Sequence, residues 1–274
     1  MIIRDLTTLE DCRAVAALER EIWGYADAED VVPPPVLIVS IKRGGILLGA
    51  FDAAGVMQGF VYSIPSIKDG RPAQWSHMLG VVPAARDAGV GLRLKLAQRD
   101  RALALGVDLI EWTYDPLQAL NAHLNFARLG VVVEEYEENI YGASSSPLHS
   151  GSPTDRFVAE WKLTAAHVER RISTPGVGLI RDAAIVTAPL VNPSRAAGTW
   201  LAPGPADLDI DAPRALVEIP VGYSTMQIEN PALALEWRMA TRTIFQTYLA
   251  RYRAVDFFLS RETGRGQYLL AGRP

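Results

Sequence analysis

A single cysteine among 274 residues, Cys12, leaves no partner for an internal disulfide. The start of the chain, Met1-Ile2-Ile3-Arg4-Asp5, shows no basic stretch followed by an apolar block. Together these give the expectation of a cytoplasmic protein without a signal peptide. Histidine is scarce as well. His77, His123, His149 and His167 show no close metal-ligand spacing, so no metal is expected. No run approaches the ~20 apolar residues that a membrane span needs. Nor is there an excess of positive charge; the net charge is −4, which argues against general nucleic-acid affinity. Two familiar phosphate-loop patterns are also missing. No Gly-x-x-x-x-Gly-Lys-Ser/Thr run exists, and Gly89-Val90-Gly91 lacks the third glycine of a dinucleotide fingerprint.

What the chain does have is an ordinary globular composition, 49% hydrophobic and 21% charged, enough for one large core or two smaller ones. Its most informative stretch is Arg86-Asp87-Ala88-Gly89-Val90-Gly91. An apolar strand from about Pro72 to Val82 leads into it, and a long helix from about Val90 to Leu105 follows. First-turn N–H groups have no partner within a helix, and the helix dipole makes that end partly positive. Glycines let an anion reach the backbone there, and Arg86 adds a planar cationic fork suited to phosphate. The plainer reading is a structural turn, with Arg93 and Lys95 forming a solvated helix face.

The rest of the chain punctuates clearly. Ile2 to Asp5 reads as a strand; Thr8 and Asp11 make an approximate capping box before Val15, Leu18 and Ile22 at helical spacing. Pro33-Pro34-Pro35 leads into a second helix stopped by Gly44-Gly45. Ile46 to Asp52 and Met57 to Pro65 are strands joined by Ala53-Ala54-Gly55. After the long helix come a strand at Val107 to Tyr114, a helix from Pro116 to Gly130, and strands at Val131 to Tyr141 and Arg156 to Leu163. The order is β, α, α, β, β, β, α, β, α, β, β, an α+β arrangement with a mixed sheet. Residues 1–165 read as one domain and 166–213 as a Pro/Gly-rich linker and cover, with Ala183 to Val191 as a short apolar run. Residues 214–274 read as a smaller β-α-β-β subdomain packed on the first, its helix running from Pro231 to Tyr252.

This order, with the arginine–glycine loop placed after its fourth strand, resembles the GCN5-related N-acetyltransferase (GNAT) superfamily, whose members carry Arg/Gln-x-x-Gly-x-Gly/Ala at that point. The helix bearing Asn121 and Asn125 and ending in Leu129-Gly130 is similar to the family's second motif. The strings Ser76-His77-Met78-Leu79-Gly80-Val81, Trp112-Thr113-Tyr114-Asp115-Pro116-Leu117, Asn139-Ile140-Tyr141-Gly142 and Asp155-Arg156-Phe157 look like a poorly characterised bacterial subgroup with an extended C-terminus. The resemblance implies acetyl-CoA as acyl donor. Its pyrophosphate would lie on Arg86, Asp87, Ala88, Gly89, Val90 and Gly91, and its pantetheine arm along Gly80, Val81 and Val82. It names no acceptor beyond an amine, small or amino-acid-like, and it leaves a homodimer open.

Acetyl transfer to an amine needs a proton acceptor, a polarised carbonyl, a proton for the leaving thiolate and aligned substrates. By resemblance the thiolate's proton often comes from a tyrosine four residues before the second motif's glycine. Here that position is Phe126, which cannot donate. Tyr141 is the preferred substitute and Tyr114 the second choice; each also reads as a packed aromatic. His77 is the best base candidate, grouped by strand alternation with Trp75, Leu79 and Val81. Glu111, mid-strand among apolar neighbours, is a rival base that also reads as a paired carboxylate. Asp115 reads as a helix cap, and Asn121 with Asn125 as holders of pantetheine amides or acceptor. Glu134 to Glu138 form an acidic run that reads first as a solvated edge. Phe126 keeps open a second function, an acyl-CoA-binding sensor or scaffold that catalyses little.

Overall fold

The computed structural model of the chain describes residues 1–25, 30–142, 152–174 and 187–273. They fall into two compact units, and the division comes after Trp112, inside a strand. The first unit contains β1 (Ile2–Asp5), α1 (Leu9–Trp23), α2 (Pro34–Ile41), β2 (Ile46–Phe51), β3 (Met57–Lys68), β4 (Arg71–Val81), α3 (Val90–Ala104) and the start of β5 (Leu109–Tyr114). Its strands are ordered β1-β2-β3-β4-β5. The first four pair antiparallel, and β5 joins β4 in parallel with α3 as the crossover.

Local chemistry accounts for these elements. Thr8 caps α1 through the N–H of Asp11, whose own carboxylate returns the bond to the Thr8 N–H, a complete capping box. Cys12 on that helix is buried, and burial pushes its thiol up, as suits an inert side chain. Between β3 and β4, Asp69 and Gly70 both take positive φ (51° and 75°), the two-residue turn whose twist matches a hairpin. Leu47, Leu48, Phe60, Val61, Leu94 and Ile110 are buried in this unit's core.

The second unit begins at Thr113. After β5, α4 (Ala119–Ala122) runs on into a π-helical stretch, His123–Leu129, followed by β6 (Val132–Glu137) and β7 (Arg156–Lys162). Then come α5 (Ala166–Ser173), the hairpin of β8 (Arg195–Ala197) and β9 (Trp200–Ala202), β10 (Arg214–Pro220), α6 (Tyr223–Glu229), α7 (Pro231–Leu249), β11 (Tyr252–Ser260) and β12 (Arg265–Gly272). The strands lie in the order β7-β6-β11-β12-β10, all antiparallel. The C-terminal strands therefore share a sheet with β6, through Ala254 opposite Val133, which gives a short β-α-β-β unit the core it could not build alone. Phe157 sits at the centre of that core. The rings of Tyr114, Tyr136, Phe245 and Tyr268 lie 5.8, 5.9, 4.6 and 5.4 Å from it, edge-on contacts worth about 0.5–1.5 kcal/mol each.

Several boundaries differ from the sequence reading. The helix expected from Pro116 starts only at Ala119, because the Asp115 carboxylate takes the Leu117 N–H and the Asp115 carbonyl takes the Gln118 N–H, closing a turn first. The strand expected to reach Tyr141 ends at Glu137; Asn139, at φ 48°, turns the chain away and its N–H bonds to Asp155. Tyr141 is thus a turn residue. In the stretch read as linker, α5 and the β8–β9 hairpin are regular, and Leu190 bridges Leu216 on β10. The run Ala183 to Val191 lies partly outside the described residues, as does His149.

Candidate functional site

In the first unit the arginine–glycine loop is built as the sequence suggests. Pro83–Ala85 form one 3₁₀ turn, Asp87 and Gly89 both take positive φ (63° and 72°), and α3 starts at Val90. Gly89 is the N-cap and offers no side chain, so the first-turn N–H groups of α3 face outward uncapped, with no acidic residue in that turn. A Cβ at Gly89 would meet nothing within 4 Å, and one at Gly91 would only reach Leu79 and Val81 at 3.8 and 4.0 Å. The fold does not need a glycine at 91 for packing; the space in front of the helix end is open. Arg86 is exposed and its Nε reaches the Val81 carbonyl at 3.4 Å. Asp87, Ala88 and Gly89 are exposed as well. This is a cradle that an anionic pyrophosphate fits.

The strand leading into the loop is irregular where it matters. Between β3 and β4, Ser63 lies opposite Ser76 and Tyr62 opposite Met78, so His77 is the extra residue of a β-bulge. Strand alternation does not carry across it, and the grouping of His77 with Trp75, Leu79 and Val81 loses its basis. His77 is exposed, with its ring edge-on to Tyr62 at 6.2 Å. Desolvation by its surroundings pulls its pKa below the usual 6.5, which keeps the imidazole neutral near pH 7. Just before the bulge the parallel ladder to β5 is recorded only at Gln74↔Ile110 and Trp75↔Glu111. Among the described residues, β4 from Ser76 onward has that edge without a registered partner. Val82 donates to the Gln58 carbonyl on the β3 side, so alternation turns the Val81 N–H toward the other edge.

Two other side chains of this unit depart from expectation. Glu111 is buried and ion-paired with Lys68 at 3.2 Å, the paired-carboxylate alternative. Lys95, read as part of a solvated face beside Arg93, is buried; only Arg93 is exposed. The Lys95 Nζ donates to Ser76 Oγ and Gln98 Oε1, both at 3.0 Å, and lies over the Trp112 ring. Burial holds its ammonium well below the ordinary lysine range. No periodicity argument finds such a residue, since its position on the inner face is one a leucine would take.

The second unit holds Tyr141, Asn121 and Asn125. Tyr141 is 49% exposed, and its hydroxyl shares a 2.7 Å hydrogen bond with Thr113 Oγ1. The Arg156 guanidinium lies 5.4 Å from its ring centroid. Asn125 is buried and Asn121 exposed, so the two do not present one equivalent face to solvent. Phe126 is fully buried against Tyr268, 5.7 Å between rings, and acts in the core. Tyr114 is also buried, its hydroxyl directed to Tyr268, and burial raises its pKa far above 10.0.

Around Tyr141 lies a charged network that the sequence did not single out. Asp155, fully buried, accepts two N–H bonds from Arg242 (2.9 and 2.8 Å) and one hydroxyl bond from Tyr136. These partners hold its carboxyl below the usual range despite burial. Asp115 takes Arg238 at 2.5 Å and lies 3.9 Å from Arg156. Arg238 is 1% exposed, its guanidinium 5.3 Å from the Tyr223 ring centroid. A hint was present: Asp115, Asp155 and Arg156 sit in strings already noted for their resemblance, while Arg238 and Arg242 are one helical turn apart on a helix read only for its apolar stripe.

Among the described residues, no group of three His, Cys, Asp or Glu side chains could hold a metal, and no helix is long and apolar enough to cross a membrane. No protein-family model matches the chain, and no curated protein matches it. Among solved structures, the acetyltransferase YncA from Salmonella typhimurium, determined with acetyl-CoA, is 19% identical at a TM-score of 0.49; the match covers 60% of this chain and 95% of that one. The PaiA N-acetyltransferase from Thermoplasma acidophilum, in complex with coenzyme A, is 18% identical at 0.42, over 59% of this chain and 98% of that one. A Desulfovibrio desulfuricans protein described as an acetyltransferase of the GNAT family is 14% identical at 0.46, over 59% and 98%.

Proposed function

We propose that this chain is a GNAT-type N-acyltransferase that uses acetyl-CoA and acts on a small or amino-acid-like amine. One observation carries the reading. An uncapped helix N-terminus follows directly on a strand whose far edge is open, with glycines at 89 and 91 that leave the approach to its N–H groups clear.

When bound, acetyl-CoA supplies a thioester with a good leaving group. The N–H groups at Gly89, Val90 and Gly91 hold the pyrophosphate, with Arg86 as cationic fork and Asp87 and Ala88 shaping the loop. The Gly80–Val82 edge receives the pantetheine arm, chiefly through the Val81 N–H, since that of Val82 is already bonded. In the second unit Asn121 and Asn125 hold amide groups. His77, neutral near pH 7, takes the proton from the incoming amine. Glu111 is left the lesser base candidate by its bond to Lys68. Tyr141 gives a proton to the departing thiolate.

The test is calorimetric binding of CoA and acetyl-CoA, then free-thiol release over a panel of amines. Binding with turnover supports the transferase. Binding without turnover on any amine favours the sensor or scaffold left open by Phe126, and no binding of either ligand rejects both. In an active preparation, Tyr141→Phe is expected to lower kcat at least ~10-fold with little change in KM for acetyl-CoA. His77→Asn is expected to remove the acid limb of the kcat/KM profile, which falls below pH 6.5 in the parent.

A further inference from the structure

We propose that Arg156 anchors a carboxylate of the ligand beside Tyr141; this deepens the acyltransferase reading and rests on it. The argument is one of charge pairing in a buried place. Arg156 on β7 is 8% exposed. Its Nη1 donates to the backbone carbonyl of Asp155 at 3.1 Å, and its ion-pair partner among the described residues is Asp115 at 3.9 Å. That carboxylate is already taken. Asp115 Oδ2 holds Arg238 at 2.5 Å, and Oδ1 holds the Leu117 N–H at 2.9 Å. The neighbouring Asp155 lends its charge from nearby but no side-chain bond, because Arg242, Tyr136 and the Asn139 N–H occupy both its oxygens.

Two arginines thus face one carboxylate, and the remaining acid of the network, the half-exposed Glu138, is spent on Arg242 at 2.6 Å, so Arg156 has no close carboxylate of its own. A buried charge held without a close partner is strongly unfavourable unless something pairs with it. The state of Arg156 agrees with this. Burial pulls its pKa down, and Asp115 does not restore it, whereas Arg238 beside the same carboxylate is raised. Arg238 adds to the field but is sealed; its Nε and Nη1 find no acceptor among the described residues. Arg156 keeps a small exposure, and the Tyr141 ring beside it, 5.4 Å away, is half exposed. A planar fork without a close carboxylate, at the edge of a low-dielectric network whose charges otherwise pair, suits a monoanionic carboxylate better than a phosphate dianion.

The carboxylate can belong to the acceptor or to the acyl chain of the donor. Two sets of probes separate these sources. Leucine (both enantiomers), leucinamide and isoamylamine are titrated with and without saturating CoA, and succinyl-CoA is titrated against butyryl-CoA. The parent is expected to bind the carboxylated member of one set at least ~10-fold more tightly than its neutral counterparts. Arg156→Gln should bring that ratio to within ~2-fold, and Arg156→Lys, which keeps the charge but loses the fork, should retain part of it. Absence of a carboxylate preference in both sets overturns the proposal. So does a preference that survives in Arg156→Gln, or in Arg156→Lys with no weakening should the glutamine variant fail to fold. CoA that binds the parent while both preferences are absent removes this inference alone. Failure of CoA itself to bind removes the acyltransferase reading, and the leucine series without CoA still decides Arg156.

Discussion

Lys95 holds its Nζ 3.5 Å from the centroid of the Trp112 ring, within the core of the first unit. The helix whose N-terminal N–H groups lack a side-chain cap therefore carries a buried amine a little over one turn further on. Because burial depresses the Lys95 pKa in the folded state below its unfolded value of 10.5, the unfolded chain binds the extra proton. Stability then rises with pH up to 10.5, each unit of depression being worth about 1.4 kcal/mol. Replacing the lysine with an apolar side chain removes that dependence. Lys95→Met is expected to gain on the parent most near pH 7 and least near pH 10, as read by urea midpoints at the two values. A gap that does not narrow with pH rejects this account.

Glu19 makes the opposite case. It is fully buried on α1, with Oε2 accepting the Val32 N–H at 3.0 Å. Its Oε1 has no hydrogen-bond partner among the described residues. Burial, opposed by the Val32 bond, raises its pKa from 4.5 to about 7. The folded state holds a proton that the unfolded state has released, so stability contributed by the neutral acid is present below pH 4.5 and lost as pH rises through 7. Glu19→Gln keeps the acceptor for Val32 without the charge. It should stabilise the protein at pH 8 by up to roughly 3 kcal/mol and by distinctly less at pH 5. Equal gains at both values would mean that the carboxyl does not titrate as described.

The two loop glycines separate folding from binding. Gly89 sits at φ 72° with open space around it, so Gly89→Ala should cost about 1 kcal/mol through backbone strain alone. Gly91 has ordinary helical φ and loose neighbours, and Gly91→Leu should leave the thermal midpoint nearly unchanged. If the proposed loop holds the pyrophosphate, that side chain crowds it, and CoA affinity should drop at least ~10-fold. Calorimetry on Gly91→Leu that finds undiminished affinity would place the cofactor elsewhere.

The sequence showed those features that short-range chemistry writes in a few neighbouring residues. The capping box at Thr8, the Ala53-Ala54-Gly55 turn between β2 and β3 and the glycine-bearing entry to α3 each follow from local rules. Features that depend on partners far along the chain stayed hidden. Asp155 meets Arg242 across 87 positions and Arg238 meets Asp115 across 123, separations at which no spacing rule operates. Lys95 misled for a related reason: its residue type signals solvent, and only the packing of Ser76, Gln98 and Trp112 around it says otherwise. Tyr141 was picked for its hydroxyl yet assigned to a strand, because Asn139 turns the chain by a conformation that its sequence merely permits.

The bulge at His77 gives β4 a parity. One residue more than its partner strand requires has been fitted in there, so every side chain from Met78 to Val81 stands on the opposite side from where an uninterrupted ladder would put it. Were His77 instead drawn into an uninterrupted ladder, the composition of the strand would be untouched and yet inside and outside would exchange along the whole run into the loop. The Val81 N–H, now turned to the open edge, would be turned inward to β3. In this fold the position of a single supernumerary residue, rather than the identity of those after it, decides which backbone groups a ligand can reach.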